Sequence, residues 1–123
     1  MRIHWYFCYN AASSEEAEKV SRNIRDIIPM EITSSPKKHH SKTDQWWFRA
    51  DTTLQKISQI ESLGWTLRAA KKITKWWKVT LNEDGERWTL LGFADFSPTN
   101  QTQQIPLTAA GFQLSNFEGS PLL

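Results

Sequence analysis

The chain has little cysteine, glycine or proline and no long apolar run, and each shortage removes a class of protein. Cys8 is its only cysteine, so an intrachain disulfide framework and a multi-cysteine metal site are both excluded. No apolar run approaches the roughly 18 residues of a membrane-spanning helix. Glycine and proline, five each, are too few for a fibrous or disordered chain. The glycines stand apart at positions 64, 85, 92, 111 and 119 and form no phosphate-cradling loop. His39-His40 is the only adjacent histidine pair, and without a further ligand at metal-binding spacing it reads as solvated loop. Glu83, Asp84 and Glu86 cluster where a turn is expected, so their carboxylates solvate that turn. From these absences we expect no catalytic residues, no metal, no cofactor and no membrane partner. The segment Ile3-His4-Trp5-Tyr6-Phe7-Cys8-Tyr9 is aromatic and interrupted by His4, unlike the Leu- or Ala-rich core of a signal peptide. A reduced, cytoplasmic setting is the expectation.

Tryptophan is what the chain has in excess, with seven residues in 14.3 kDa. A length of 123 residues with 39% hydrophobic and 23% charged residues suits one globular domain. The net charge of +2 conceals an asymmetry, since residues 37–78 hold ten Lys/Arg against three acids, +7, and the remainder sums to −5. A basic middle of this kind can steer a partner.

Residues 2–9 alternate as a strand, and Ser13-Ser14-Glu15-Glu16 forms a capping box. It opens a helix with Ala17, Val20, Ile24 and Ile27 on one stripe, stopped by Pro29. Met30–Thr33 suits a short strand, Ser34–Asp44 a loop, and Gln45–Ala50 a strand. Asp51-Thr52-Thr53 would cap a second helix with Leu54, Ile57, Ile60 and Leu63 buried and Gly64 at its left-handed end. Residues 65–74 are expected to be a strand, with Arg68-Ala69-Ala70-Lys71-Lys72 a helical alternative, and Trp76–Leu81 with Arg87–Leu91 a hairpin turned by Asp84-Gly85. The plan is α+β, a ferredoxin-like two-layer sandwich. Its mostly antiparallel sheet would carry two helices on one face, plus a C-terminal hairpin and tail. Residues 1–96 would form the sandwich, and residues 97–123 a polar linker and tail docked on it.

Successive strand residues point to opposite faces, so Trp46-Trp47 and Trp76-Trp77 should each be split across the sheet. The more apolar side collects Ile3, Trp5, Phe7, Trp46, Phe48, Leu67, Trp77, Val79, Leu81, Trp88 and Leu90. The other side collects His4, Tyr6, Trp47, Arg49, Arg68, Trp76, Lys78, Arg87 and Thr89, a mixture of rings and cations. Three readings compete: Lys and Arg stems lying over the rings, or the tail covering them, with no partner; protein recognition, where Trp, Tyr and Arg dominate the binding energy; and single-stranded RNA or DNA, whose bases stack on aromatics. The chain lacks the Lys/Arg-Gly-aromatic pattern of RNA-recognition motifs, and its nearest segment, Leu91-Gly92-Phe93-Ala94-Asp95-Phe96, carries an acid. Nucleic acid therefore ranks second to a protein partner. Trp47 and Trp76 are the expected anchors, Tyr6, Arg49 and Lys78 their flanking contacts, and Lys37, Lys38 and Lys42 a steering loop.

The aromatic first strand His4-Trp5-Tyr6-Phe7, the helix start Ser13-Ser14-Glu15-Glu16, and the Trp46-Trp47-Phe48 strand leading to Leu63-Gly64-Trp65 together resemble a known layout. It is that of the small immunity proteins of bacterial contact-dependent growth inhibition systems, and it covers residues 1–93. The resemblance implies a cofactor-free, non-enzymatic cytoplasmic protein that occludes the active site of a toxin. Immunity proteins against basic nuclease toxins are acidic, whereas this chain is slightly basic.

Overall fold

A computed structural model describes residues 1–39, 44–96 and 107–118. The elements in chain order are β1 (Arg2–Asn10), α1 (Ser14–Ile27), β2 (Glu31–Lys38), β3 (Gln45–Thr53), α2 (Gln59–Ile73), β4 (Lys78–Asp84), β5 (Arg87–Asp95) and β6 (Leu107–Ser115). All six strands join one antiparallel sheet in the order β2-β3-β1-β6-β5-β4. Both helices contribute to a single core against one face, so the molecule is α+β. Beside β1, where a β-α-β-β-α-β sandwich seats the strand that follows its second helix, stands β6, and β4 lies at the far edge.

Alternation along β1 sends Ile3, Trp5, Phe7 and Tyr9 into the core. Their neighbours Phe48 and Ala50 on β3, and Ala110, Phe112 and Leu114 on β6, share that face. Trp5 lies 6.1 Å from Phe7 and 5.8 Å from Phe112, ring centre to ring centre. Phe112 lies across β5 at Gly92, where an added Cβ would come within 1.9 Å of the ring, so only a glycine leaves room.

The capping box of α1 forms as expected. Ser13 Oγ accepts from the Glu16 amide at 3.2 Å, and the Glu16 carboxylate accepts from the Ala12 amide at 3.0 Å. Ala17, Val20 and Ile24 are buried beneath it, and the helix ends before Pro29.

The second helix differs from expectation. β3 continues through Thr53, and α2 occupies residues 59–73, taking in the stretch expected as a strand. Its cap is Ser58, whose hydroxyl accepts from the Glu61 amide at 3.1 Å. The buried stripe is Ser62, Thr66, Ala69, Ala70 and Ile73, while Ile60 is 81% exposed. Ser62 and Thr66 can be buried because their hydroxyls donate to the Ser58 and Ser62 carbonyls one turn back. Gly64 sits inside the helix without a positive φ. The positive φ of this hairpin region belongs to Gly85, the first residue of the two-residue loop Gly85-Glu86, which matches a II′ turn. Ser34–Lys38, expected as loop, completes edge strand β2; an edge tolerates Pro36 and the register shifts on either side of Ser34.

Candidate functional site

No described helix or strand packs on the face opposite the helices. On this open face Phe93 and Lys78 are exposed, Tyr6 and Trp47 half-buried, and Cys8, Gly111 and Gln113 buried, and the strand registers align the side chains in rows. One row crosses the whole sheet: Ser34, Arg49, Tyr6, Gly111, Phe93 and Lys78. The next carries Lys37, Trp47, Cys8, Ala109 and Asp95. At the β2–β3–β1 end, Trp47 is the hub. The Tyr6 ring lies 6.1 Å from it, the Arg49 guanidinium 5.5 Å and the Lys37 ammonium 5.6 Å. Both cations are within cation–π range of the indole. Burial, followed by the neighbouring Cys8, raises the Tyr6 phenol above its ordinary pKa, so the ring presents a neutral hydroxyl.

Gly111 and Ala109 lower the floor beside this cluster. On the far side Phe93 stands half exposed, two strands from Tyr6, or about 10 Å at ordinary strand spacing. Tyr6 and Phe93 thus flank Gly111, which is buried between them. Sequence alone does not assign Phe93 to the face, because Leu90, Leu91 and Phe93 are all apolar and leave the strand's alternation ambiguous.

Lower on the same face, Met1, Arg2, His4, Thr53, Gln113 and Phe117 help to line a groove of about 840 Å³. Several of its polar groups are paired with one another or with residues just outside it. His4 Nδ1 is 2.8 Å from Asp51 Oδ1, with Arg2 3.8 Å from the other carboxylate oxygen. The Thr89 and Ser115 hydroxyls are 2.9 Å apart, and Asn116 is held between the Trp88 amide and the Glu86 carbonyl. Arg87 lies over the Phe117 ring at 5.2 Å. These pairings secure the strand ends.

Of the residues expected to act together, Tyr6, Trp47, Arg49 and Lys37 meet on the open face. Lys78 shares that face but lies on β4, four strand spacings or about 19 Å from β3. Lys38 pairs with Trp46 and so belongs to the helix side, and both Lys37 and Lys38, expected in a loop, are strand residues. Trp76 is not on the sheet. It precedes β4, 47% exposed beside the Lys75 ammonium, while Trp77 packs edge-on against Phe112 at 5.1 Å. The expected splitting of Trp46-Trp47 is what the sheet shows, whereas Trp76-Trp77 lies outside the strands. Leu67 and Arg68 likewise belong to α2, not to either sheet face. Lys42 and His40 lie outside the described residues.

No described helix is long and apolar enough to cross a membrane. Comparison with protein-family models, curated proteins and solved structures finds no match to this chain.

Proposed function

We propose that the protein is a non-enzymatic protein-binding module, and that it neutralises a bacterial toxin by occlusion, as its immunity-protein-like layout suggests. The observation behind this reading is the Tyr6–Trp47 cluster with Arg49 and Lys37, on a sheet face that no described helix or strand covers. Aromatic rings and arginine are the side chains that most often carry binding energy between proteins.

Charge favours a protein over the alternative, single-stranded RNA or DNA. The paired strand positions of this face carry five cations, Arg2, Lys37, Arg49, Lys78 and Arg87, against four carboxylates, Glu31, Asp51, Asp84 and Asp95, and Glu118 lines the groove beside them. Two of those cations already lie against Trp47. A near-neutral face offers little of the multiple phosphate neutralisation that tight nucleic-acid binding uses.

The test is whether a toxin is encoded beside the gene and, where one is, whether the chain protects against it. Co-expression should restore growth and the two proteins should co-purify. Trp47→Ala should weaken the complex by about 2 kcal/mol, roughly 30-fold, with the fold intact by circular dichroism. Labelled single-stranded oligonucleotides should show no anisotropy change at low salt. A strong change that vanishes steeply as salt rises, together with no effect on the toxin, would replace this reading with the nucleic-acid one.

A further inference from the structure

β4 ends the sheet, and all seven of its residues are exposed. No described strand pairs with its outer edge. Val79 and Leu81, on the helix side of the strand, are 45% and 49% exposed, which is unusual for apolar residues of a sheet. An unprotected edge bearing apolar residues is a template for another strand.

Hairpin geometry determines which backbone groups face outward. With the two-residue loop Gly85-Glu86, Asp84 and Arg87 form the closing hydrogen-bonded pair. The alternation of an antiparallel ladder then directs the N–H and C=O groups of Lys78, Thr80, Asn82 and Asp84 toward β5. Those of Val79, Leu81 and Glu83 point to the free edge.

The charge order along β4 selects the partner. The strand begins with Lys78 and ends with Glu83 and Asp84. A second β4 running antiparallel and centred on Leu81 brings Leu81 opposite its own copy and Val79 opposite Glu83. The same register puts each Lys78 opposite an Asp84 and each Thr80 opposite an Asn82. Its hydrogen-bonded positions are 79, 81 and 83, the three whose backbone groups face outward. A parallel copy would set lysine beside lysine.

We propose that β4 is a self-association edge, through which two copies of this chain form a symmetric dimer with one continuous twelve-stranded sheet, twice the six strands of each copy. The twofold axis passes through the Leu81 pair, perpendicular to the sheet. The helices of both copies lie on one side, and their two open faces merge on the other. An interface limited to two edge strands is small, so the dimer forms in the micromolar range.

Sedimentation equilibrium of the full chain tests this directly. The mean mass should rise from 14.3 kDa toward twice that value as concentration increases. Leu81→Pro removes an outward N–H without touching the β4–β5 ladder, and should remain monomeric with an unchanged circular dichroism spectrum. Asp84→Lys should raise the dissociation constant about tenfold by opposing lysines at both ends of the pairing. Lys78→Asp added to Asp84→Lys should restore it, and this exchange decides the matter even if the proline variant fails to fold. A parent chain that stays monomeric at every concentration overturns the proposal. So does a dimer indifferent to Asp84→Lys.

Discussion

Trp5 shows how one side chain joins distant parts of the chain. Its indole Nε1 donates to Thr52 Oγ1 at 3.0 Å, and the Thr52 hydroxyl donates in turn to the Pro29 carbonyl at 2.6 Å. β1, β3 and the exit of α1 are thereby tied through a single buried hydroxyl. Thr52→Val keeps the volume but strands the indole N–H and the carbonyl. It should cost about 1–3 kcal/mol in urea unfolding, with little change in the denaturant slope. Trp46, Trp77 and Trp88 are also anchored by their nitrogens, to the Ala11 carbonyl, the Ala70 carbonyl and the Gln59 side chain. Gly92 is a second sensitive position. Gly92→Ala drives a methyl into a Phe112 ring wedged among Trp5 and Trp77, so it should destabilise by about 1–3 kcal/mol and lower the melting temperature.

At the scale of elements, α1 was legible because its cap and apolar spacing agree. α2 was not, although Ser58-Gln59-Ile60-Glu61 carries the same Ser-x-x-Glu capping pattern. Thr52-Thr53-Leu54-Gln55 offered an equally good box six residues earlier, and Leu54, Ile57, Ile60 and Leu63 an apolar stripe to match it. The true buried stripe contains two hydroxyls that bond back along the helix, so hydrophobic spacing pointed to the wrong face. Ser58→Ala should therefore cost about 0.5–2 kcal/mol, while Thr53→Ala should be nearly neutral in the same melts. Gly64→Ala should instead stabilise the protein by about 0.5–1 kcal/mol, because it lies mid-helix and its new methyl meets only the mobile end of Arg68.

For the whole molecule, the decisive element is β6. It pairs with both β1 and β5, and its Ala110, Phe112 and Leu114 complete the core. Without it the β4–β5 hairpin would have no connection to β1 through the sheet. A chain ending at Phe96 should therefore fail to give a cooperative thermal transition, whereas a docked tail could be removed with a modest loss. Far- and near-ultraviolet circular dichroism of the truncated chain distinguishes these outcomes. The open face also exists only at this scale, since Tyr6, Trp47 and Phe93 come from three strands and no short stretch of sequence contains them together.

Several features follow from local pattern alone: β1, the cap of α1, the hairpin, and the placing of Trp46 and Trp47 on opposite faces. Each depends on a period of two or on contacts within a few residues, which the order of amino acids encodes directly. Tertiary structure decided the rest. Leu107-Thr108-Ala109-Ala110-Gly111-Phe112-Gln113-Leu114-Ser115 is rich in small residues of low strand propensity, and it becomes a strand because β1 and β5 supply both of its edges. Trp76 left the expected face because α2 runs to Ile73 and β4 begins only at Lys78. Which strands become neighbours is set by burial shared between residues far apart in the chain, and that competition has no local signature.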